Sequence, residues 1–183
     1  MPAVSVTRTY LEQREAAQLR DESRRPADAR IERVLDCPPS FYRWVYASVG
    51  GPWHWHERLG WDDATIRAHL AQPSVFLRVL YVEGAPAGYY ELNRHPDNSV
   101  EIVHIGLLPE RIGRRLGGLL VAEAARDAWA LGATRVWLHT CTLDGPAALP
   151  NYLRRGFVAY RTEDYVVDIP ISMTHRSVTR STP

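Results

Sequence analysis

The sequence predicts an α+β fold with strands and helices mixed along the chain. Its clearest part is residues 100–140, where the pattern predicts a strand, a turn rich in glycine and arginine, an amphipathic helix and a second strand. Residues 75–82 and 87–92 have strand character and flank a turn at 83–86, which predicts a β-hairpin. We therefore expect a mostly antiparallel sheet with helices packed against it.

The other elements follow from local patterns taken in chain order. Further strands are predicted over residues 4–12, 29–35, 100–107 and 159–169, and in the segment that ends at Thr140. Further helices are predicted over residues 41–49 (after a proline-rich start at 36–40), over residues 62–71 and around Tyr152. Residues 4–12 alternate like an edge strand, and the charged residues 13–25 fit a helix or a loop equally.

The turn before the central helix has the composition of an anion-binding site. It carries three arginines and three glycines: Arg111, Gly113, Arg114, Arg115, Gly117 and Gly118. The helix that follows has one apolar face, formed by Leu116, Leu119, Leu120, Ala124, Ala128 and Leu131. The first backbone N–H groups of a helix have no partner within it, so they can bind a polyphosphate. The sequence contains no lysine, so the positive charge of this turn is entirely arginine, which binds phosphate in a bidentate manner.

Two common nucleotide-binding patterns do not fit this turn. The glycine spacing is not G-x-G-x-x-G, and no acidic residue ends a following strand where a ribose would need it. The lysine of a Walker motif is also missing.

The turn instead resembles the acetyl-CoA signature of the GNAT superfamily of N-acetyltransferases, written Q/R-x-x-G-x-G/A. The matching window is residues 112–117, in which Gly117 agrees with the pattern. Ile112 stands where the family has Gln or Arg, and Arg115 stands where it has the first Gly.

A second segment, residues 142–160, resembles the family pattern N-x-x-A-x-x-x-Y-x-x-x-G-F. Four residues keep its spacing: Ala148, Tyr152, Gly156 and Phe157. Gly145 takes the place of the family's asparagine, with Asp144 and Asn151 nearby. The two segments occur in the family's order and separation, and the resemblance covers residues 76–167.

The resemblance implies a three-layer sandwich whose twisted, mostly antiparallel central sheet is flanked by helices and holds the cofactor between a splayed pair of strands. Residues 1–169 would form one domain, with acceptor-side helices at 35–75 and the acetyl-CoA core at 76–167, followed by a flexible tail at 170–183. The residues implied in cofactor binding are Leu107, Leu108, Arg111, Ile112, Gly113, Arg114, Arg115, Leu116, Gly117, Gly118, Asp144, Ala148, Asn151 and Tyr152.

The activity implied is direct attack of a primary amine, from a small molecule or a protein, on the thioester of acetyl-CoA in a ternary complex. Tyr152 matches the family's tyrosine and is the candidate acid, because a phenol with a pKa of about 10 is protonated at neutral pH and could donate to the departing thiolate, for which a pKa of about 8.5 is the model. The alternative is a tyrosine that only packs its ring against the sheet. A non-catalytic acyl-CoA-binding module is the alternative function.

The attacking amine must lose a proton, and three residues are candidate bases. Glu101 comes first, because its place eleven residues before the Q/R position is similar to that of the base in the histone-acetylating branch. Glu101 could instead face solvent or pair with Arg94. His104 would lie on the opposite face of a regular strand unless a bulge intervened. Glu91 could act through a water, whereas His139 is interpreted as a core histidine.

Residues 41–61 hold four of the six tryptophans of the chain. The aromatic residues of this segment are Phe41, Tyr42, Trp44, Tyr46, Trp53, Trp55 and Trp61. Such rings could line an acceptor pocket, where aromatic faces attract cationic amines, or they could form a small core between helices and sheet. His54 and His56 lack a further ligand at suitable spacing, so no metal site is predicted.

Composition fits one globular enzyme domain, with 183 residues, 45% hydrophobic residues and a formal net charge of +1. The interspersed charges argue against nucleic-acid binding, and no segment is apolar enough to be a membrane span. Cys37 and Cys141 do not suggest a disulfide framework, and the first residues do not resemble a signal peptide, so a cytoplasmic location is expected. The sequence leaves a homodimer open.

Overall fold

The computed structural model of the chain describes residues 3–20 and 24–168. The strands are β1 (Ala3–Gln13), β2 (Arg30–Arg33), β3 (Val75–Val82), β4 (Ala85–Arg94), β5 (Ser99–Leu107), β6 (Arg135–Cys141) and β7 (Val158–Asp168). The α-helices are α1 (Pro39–Gly50), α2 (Asp63–Leu70), α3 (Leu116–Ala130) and α4 (Ala148–Arg154). No helix within these described residues is long and apolar enough to cross a membrane.

The seven strands form one sheet in the order β2-β3-β4-β5-β6-β1-β7. Neighbouring strands are antiparallel except β5 and β6, which are parallel and joined by α3. The predicted mixed fold with a mostly antiparallel sheet is therefore confirmed.

The prediction that residues 4–12 form an edge strand was wrong. β1 lies inside the sheet, paired along its length with β6 on one side and β7 on the other. The burial of β1 does not follow its alternation, because Val6 and Leu11 are buried, residues 7–10 are partly exposed, and Glu12 and Gln13 are buried as well. Of the charged segment 13–25, residues 16–18 form a single 3₁₀ turn. The predicted flexible tail lies outside the described residues.

Helices cover both faces of the central strands and produce the three layers. On one face α3 packs through Leu116, Leu120 and Ala124 into the main apolar core. Its sheet partners there are Leu80, Tyr90, Leu92, Val100, Ile102, Val136 and Leu138. On the other face, α1 and α2 pack against β3 and β4 in a second cluster, formed by Tyr42, Val45, Val49, Ile66, Leu77, Val79, Tyr89 and Leu108.

β5 and β6 separate after a short paired section. Their register runs from Ser99 opposite Arg135 to Glu101 opposite Trp137, and no pairing between the two strands follows. From residue 102 onward β5 therefore diverges from β6 and opens a cleft in the middle of the sheet. The candidate active site lies at this splay between β5 and β6.

Candidate active site

A cavity of about 270 Å³ lies at the splay between β5 and β6. Both strands line it, β5 through His104 and its neighbours and β6 through His139 and Cys141. Tyr152 of α4 closes one side, and residues 53–57, between α1 and α2, contribute a wall. The site therefore draws on elements that are far apart in the sequence.

A β-bulge in β5 determines which side chains reach this cavity. Leu92 of β4 is opposite Ile102, whereas Glu91 is opposite His104, so Val103 has no partner across the β4–β5 pair. The extra residue reverses the alternation of β5. His104 consequently shares a sheet face with Glu101, which a regular strand would have prevented.

His104 is a buried histidine on the cavity wall, 9% exposed. Its ring contacts the edge of Tyr46 at 5.2 Å and the ring of Trp55 at 4.9 Å between centroids. Burial, assisted by the positive charge of Arg58, lowers the pKa of His104 to about 3. Its Nδ1 is buried and has no hydrogen-bond partner among the described residues. The imidazole is therefore neutral near pH 7.

Glu101 is partly buried, and its Oε2 lies 3.1 Å from Nε2 of His95. Burial raises the pKa of Glu101 above its usual value, although the bond with His95 opposes the shift. Arg94, the pairing partner considered for Glu101, donates to Asn98 instead. The Glu101 carboxylate does not itself line the cavity.

Glu91 is the centre of a buried polar cluster rather than part of the cavity wall. It is 0% exposed, and its carboxylate accepts from Arg58 at 2.8 and 2.9 Å and from Tyr42 Oη at 2.8 Å. His69 Nε2 lies 2.9 Å away. Burial favours the neutral acid, but the His69 bond and the Arg58 charge outweigh it and hold the pKa of Glu91 at about 2. Glu91 is thus ionised and fully engaged.

Tyr152 lies on α4 with its side chain turned into the cavity wall, 7% exposed. Its ring meets Phe157 edge-on at 6.2 Å between centroids, so it also belongs to the core. Burial, followed by the negative charge of Asp144, raises the pKa of Tyr152 well above its usual value. The phenol is therefore protonated throughout the physiological range.

The loop before α3 combines exposed arginines with a strained backbone. Arg111 pairs with Glu83 at 3.2 Å, whereas Arg114 and Arg115 are exposed, with no carboxylate within 4.0 Å among the described residues. Arg115 has φ 62°, in the left-handed region that favours glycine, which explains why the related pattern has Gly there. Gly113 has φ 84°. The loop thus presents free cations at the start of α3.

The glycine at position 145 is explained by its contact with Trp53. A Cβ at Gly145 would lie 3.0 Å from Trp53 Cη2, so the indole occupies the space of a longer side chain. Nearby, the Asn151 amide reaches the first turn of α3, where its Nδ2 would be 3.5 Å from a Cβ at Gly117. Asp144 accepts from Thr140 Oγ1 at 2.6 Å and from the Cys141 N–H at 2.9 Å, so it holds the turn after β6.

The aromatic residues of the segment lie in three environments, and Trp44 is exposed. Tyr46, Trp53 and Trp55 line the cavity. Tyr42, with the partly buried Phe41 and Trp61, belongs to the core between the helices and the sheet.

Sequence reasoning missed several residues of the cavity and its surroundings. Arg8, Cys141, Tyr165 and Asp168 line the cavity. Arg58, His69 and His95 bind the two candidate carboxylates. For Arg8, the sequence offered only the alternating pattern of β1, and that pattern was interpreted as an edge strand. No group of three potential metal ligands occurs within residues 3–20 and 24–168.

Comparison with known proteins identifies the family. The family model described as Acetyltransferase (GNAT) family matches residues 19–157, and the chain belongs to this family. No curated protein matches the sequence significantly.

Solved structures share the fold at low sequence identity. A GCN5-related N-acetyltransferase from Kribbella flavida is 21% identical with a TM-score of 0.64, over 90% of this chain and 58% of that one. A functionally unknown conserved protein from Staphylococcus epidermidis is 22% identical with a TM-score of 0.61, over 90% of this chain and 62% of that one. The present chain thus spans only about 60% of the length of these structures.

Proposed function

We propose that this chain is an N-acetyltransferase that transfers the acetyl group of acetyl-CoA to a primary amine within a ternary complex. The observation that carries the proposal is the cavity at the splay, where a protonated phenol and a neutral imidazole line a single space. Membership of the GNAT acetyltransferase family agrees with this chemistry.

The start of α3 fits the phosphates of acetyl-CoA. The helix is 15 residues long and begins with Leu116 and Gly117, so its first N–H groups and its dipole favour an anion. Arg114 and Arg115 add exposed positive charge. A Cβ at Gly117 would narrow the approach to this turn, and the Asn151 amide beside it could replace the amide absent at Gly145. Bound acetyl-CoA would supply the thioester that the amine attacks.

Tyr152 is proposed as the acid. The amine nitrogen forms a bond to the thioester carbonyl carbon, the carbon–sulfur bond breaks, and the departing thiolate takes the phenolic proton. Burial keeps the phenol protonated, so its O–H can donate to the sulfur as the carbon–sulfur bond breaks. The same burial makes the departing thiolate a stronger base than it is in water, which allows the proton to follow. The proton released by the nitrogen then restores the phenol through solvent.

Glu101 is proposed as the base, with His104 as a positioning residue. The raised pKa of Glu101 makes its carboxylate a stronger base than an ordinary glutamate. His104 is neutral, so it does not repel a protonated amine arriving in the cavity. The bulge at Val103 places both side chains on one face, and water between the cavity and Glu101 would carry the proton from the amine to the Glu101 carboxylate. Glu91 is proposed to support this wall structurally.

Thiol release from acetyl-CoA, measured with a panel of primary amines, tests the proposal. Amine-dependent turnover that falls strongly in Tyr152→Phe is expected. Tight CoA binding without turnover by any amine would instead support a non-catalytic acyl-CoA-binding module, the function favoured by the altered positions Arg115 and Gly145.

A further inference from the structure

Arg8 of β1 is a cavity-lining cation that forms no ion pair with another described residue. In the strand register it lies opposite Cys141 of β6 and Glu163 of β7. Its guanidinium reaches only neutral phenols, Tyr10 Oη at 3.5 Å and Tyr165 Oη at 3.3 Å, and it stacks 4.8 Å from the Tyr165 ring centroid. No carboxylate lies within 4.0 Å of it in the described part of the chain, and its Nε is buried without a partner. Within residues 3–20 and 24–168 its charge therefore has no direct carboxylate partner.

Most other partly or fully buried arginines among the described residues have a carboxylate partner, although Arg155 donates to the Gly118 carbonyl oxygen at 3.2 Å instead. Arg58 binds Glu91 at 2.8 Å, and Arg135 binds Glu12 at 2.6 Å. Glu163, opposite Arg8 in register, makes no direct ion pair with it, because its carboxylate accepts from Tyr10 Oη at 2.9 Å and from Arg161 at 3.0 Å. The pKa of Glu163 is lowered, first by the Tyr10 hydrogen bond and to a smaller extent by the charge of Arg8, so its effect on Arg8 is indirect. A guanidinium held at a cavity wall by two phenols retains N–H donors for an incoming anion.

The carboxylates of the cavity do not neutralise Arg8 either. Asp144 is bonded to Thr140 and to the Cys141 backbone, and Glu57 and Asp168 are exposed. The cavity thus combines a free cation on its β1 side with the neutral His104 and Tyr152 at the splay. An acceptor that carries both an amine and an anion fits this division better than a simple amine.

We infer that the acceptor is a free amino acid, whose carboxylate binds Arg8 while its amine lies at the splay beside His104. This inference rests on the proposed function and specifies its substrate class. Only β6 separates Arg8 from the splay, and neighbouring strands are about 4.8 Å apart, a distance that one amino acid can span with the reach of an arginine. Arginine also matches a carboxylate by two parallel hydrogen bonds. Tyr46, Trp53 and Trp55 would surround the amino-acid side chain.

The test compares amino acids with partners that lack the carboxylate. Tryptophan with tryptamine, tyrosine with tyramine, phenylalanine with phenethylamine and lysine with cadaverine are assayed as acceptors, along with the amide of each amino acid. For at least one pair, kcat/KM for the amino acid should exceed that for its amine and its amide by about tenfold or more, as expected for a charge-assisted bidentate contact. Preference for the amines throughout would overturn the inference.

Arg8→Met keeps length and removes the charge. It should lower kcat/KM for the preferred amino acid by about 100-fold, mainly through KM, and leave the matching amine within about threefold. Arg8→Lys should retain part of the preference. The control is Arg33→Met, which changes an exposed arginine of β2 that stacks on Phe76 away from the cavity, and it should leave kcat/KM unchanged for both the amino acid and the amine. Equal losses for amino acid and amine in Arg8→Met would contradict the inference.

Calorimetric titration distinguishes failure of the proposed transferase activity from failure of the inferred amino-acid acceptor. If no amine turns over, the proposed transferase activity fails, and the same pairs are then titrated into CoA-saturated parent protein and Arg8→Met. Carboxylate-dependent binding that is lost in Arg8→Met would support the anion site without catalysis. Affinity unchanged by Arg8→Met, or no binding of any amino acid at millimolar concentration, would overturn the inference.

Discussion

His104 of β5 lies opposite Glu91 of β4 because the bulge at Val103 inserts one residue into the strand pair. One consequence is that His104 faces the cavity on the same side as Glu101. Another is that the wall behind the cavity contains the cluster of Glu91, Arg58 and His69, all bonded to one another. The cavity and this ionic cluster therefore adjoin at β5, where His104 lines the cavity and lies opposite Glu91 of β4.

Replacing Glu91 by Gln should destabilise the fold. The carboxylate is fully buried and paired with Arg58, so Glu91→Gln leaves a buried guanidinium uncompensated, at a cost of about 3 kcal/mol or more. Urea unfolding measures this loss. Glu101→Gln, which changes a carboxylate that has no arginine partner, is the control and should lose much less. Equal stabilities for the two variants would remove the structural role assigned to Glu91.

The free energy of unfolding should fall at acid pH because of Glu91 and His104. Both have folded-state pKa values below their ordinary ones: about 2 against 4.5 for Glu91 and about 3 against 6.5 for His104. Their contributions are present above the ordinary values and are lost as pH falls, from about 6.5 toward 3 for His104 and from about 4.5 toward 2 for Glu91. Thermal unfolding from pH 7 to 3 should show less pH dependence in His104→Gln. An unchanged slope would contradict the low pKa of His104.

Gly117→Val should raise the dissociation constant of acetyl-CoA strongly while the protein remains folded. A Cβ at Gly117 makes only ordinary contacts within the protein, the nearest at 3.5 Å, so the added methyl groups act mainly on the approach of the ligand. Gly60→Ala, with open space around its Cβ, is the control. Calorimetric titration measures both affinities. Unchanged affinity in folded Gly117→Val would remove the assignment of this loop.

Arg115→Gly should have two separate effects, one on folding stability through the backbone and one on acetyl-CoA affinity through the lost charge. Relieving a left-handed arginine should stabilise the fold by up to about 1 kcal/mol, whereas loss of the charge should weaken acetyl-CoA binding modestly, and more at low salt than at high salt. Thermal unfolding and calorimetry at two salt concentrations test the two parts. Improved affinity would show that the arginine obstructs the site.

The elements that depend on local pattern were predictable from the sequence. α3 followed from one apolar face and a terminal glycine, and the β3–β4 hairpin followed from its turn, where Glu83 and Gly84 both have positive φ. The proposed cofactor loop and the proposed acid Tyr152 were assigned from the family's motif spacing, and their roles stay predictions.

Features that depend on neighbouring strands could not be predicted. The bulge at Val103 has no local signature, because only the register against β4 reveals the extra residue. The place of β1 between β6 and β7 is set by long-range pairing, and this pairing brings Arg8 to the cavity. The contact of Trp53 with Gly145 joins residues 92 positions apart. These features are therefore structural findings.

Acetyl transfer at the splay is tested most directly by mass spectrometry of the amine product formed with parent protein and with Tyr152→Phe. Tyr152 makes no side-chain hydrogen bond to another described residue, so Tyr152→Phe should remain folded, and Tyr160→Phe, exposed on β7, is the control. The parent and the control should both yield an amine product that is heavier by one acetyl group. In Tyr152→Phe, kcat should be about ten- to a thousandfold lower while the affinity for acetyl-CoA is unchanged. Full activity in folded Tyr152→Phe, or no acetylated product from the parent with any amine, would contradict the account.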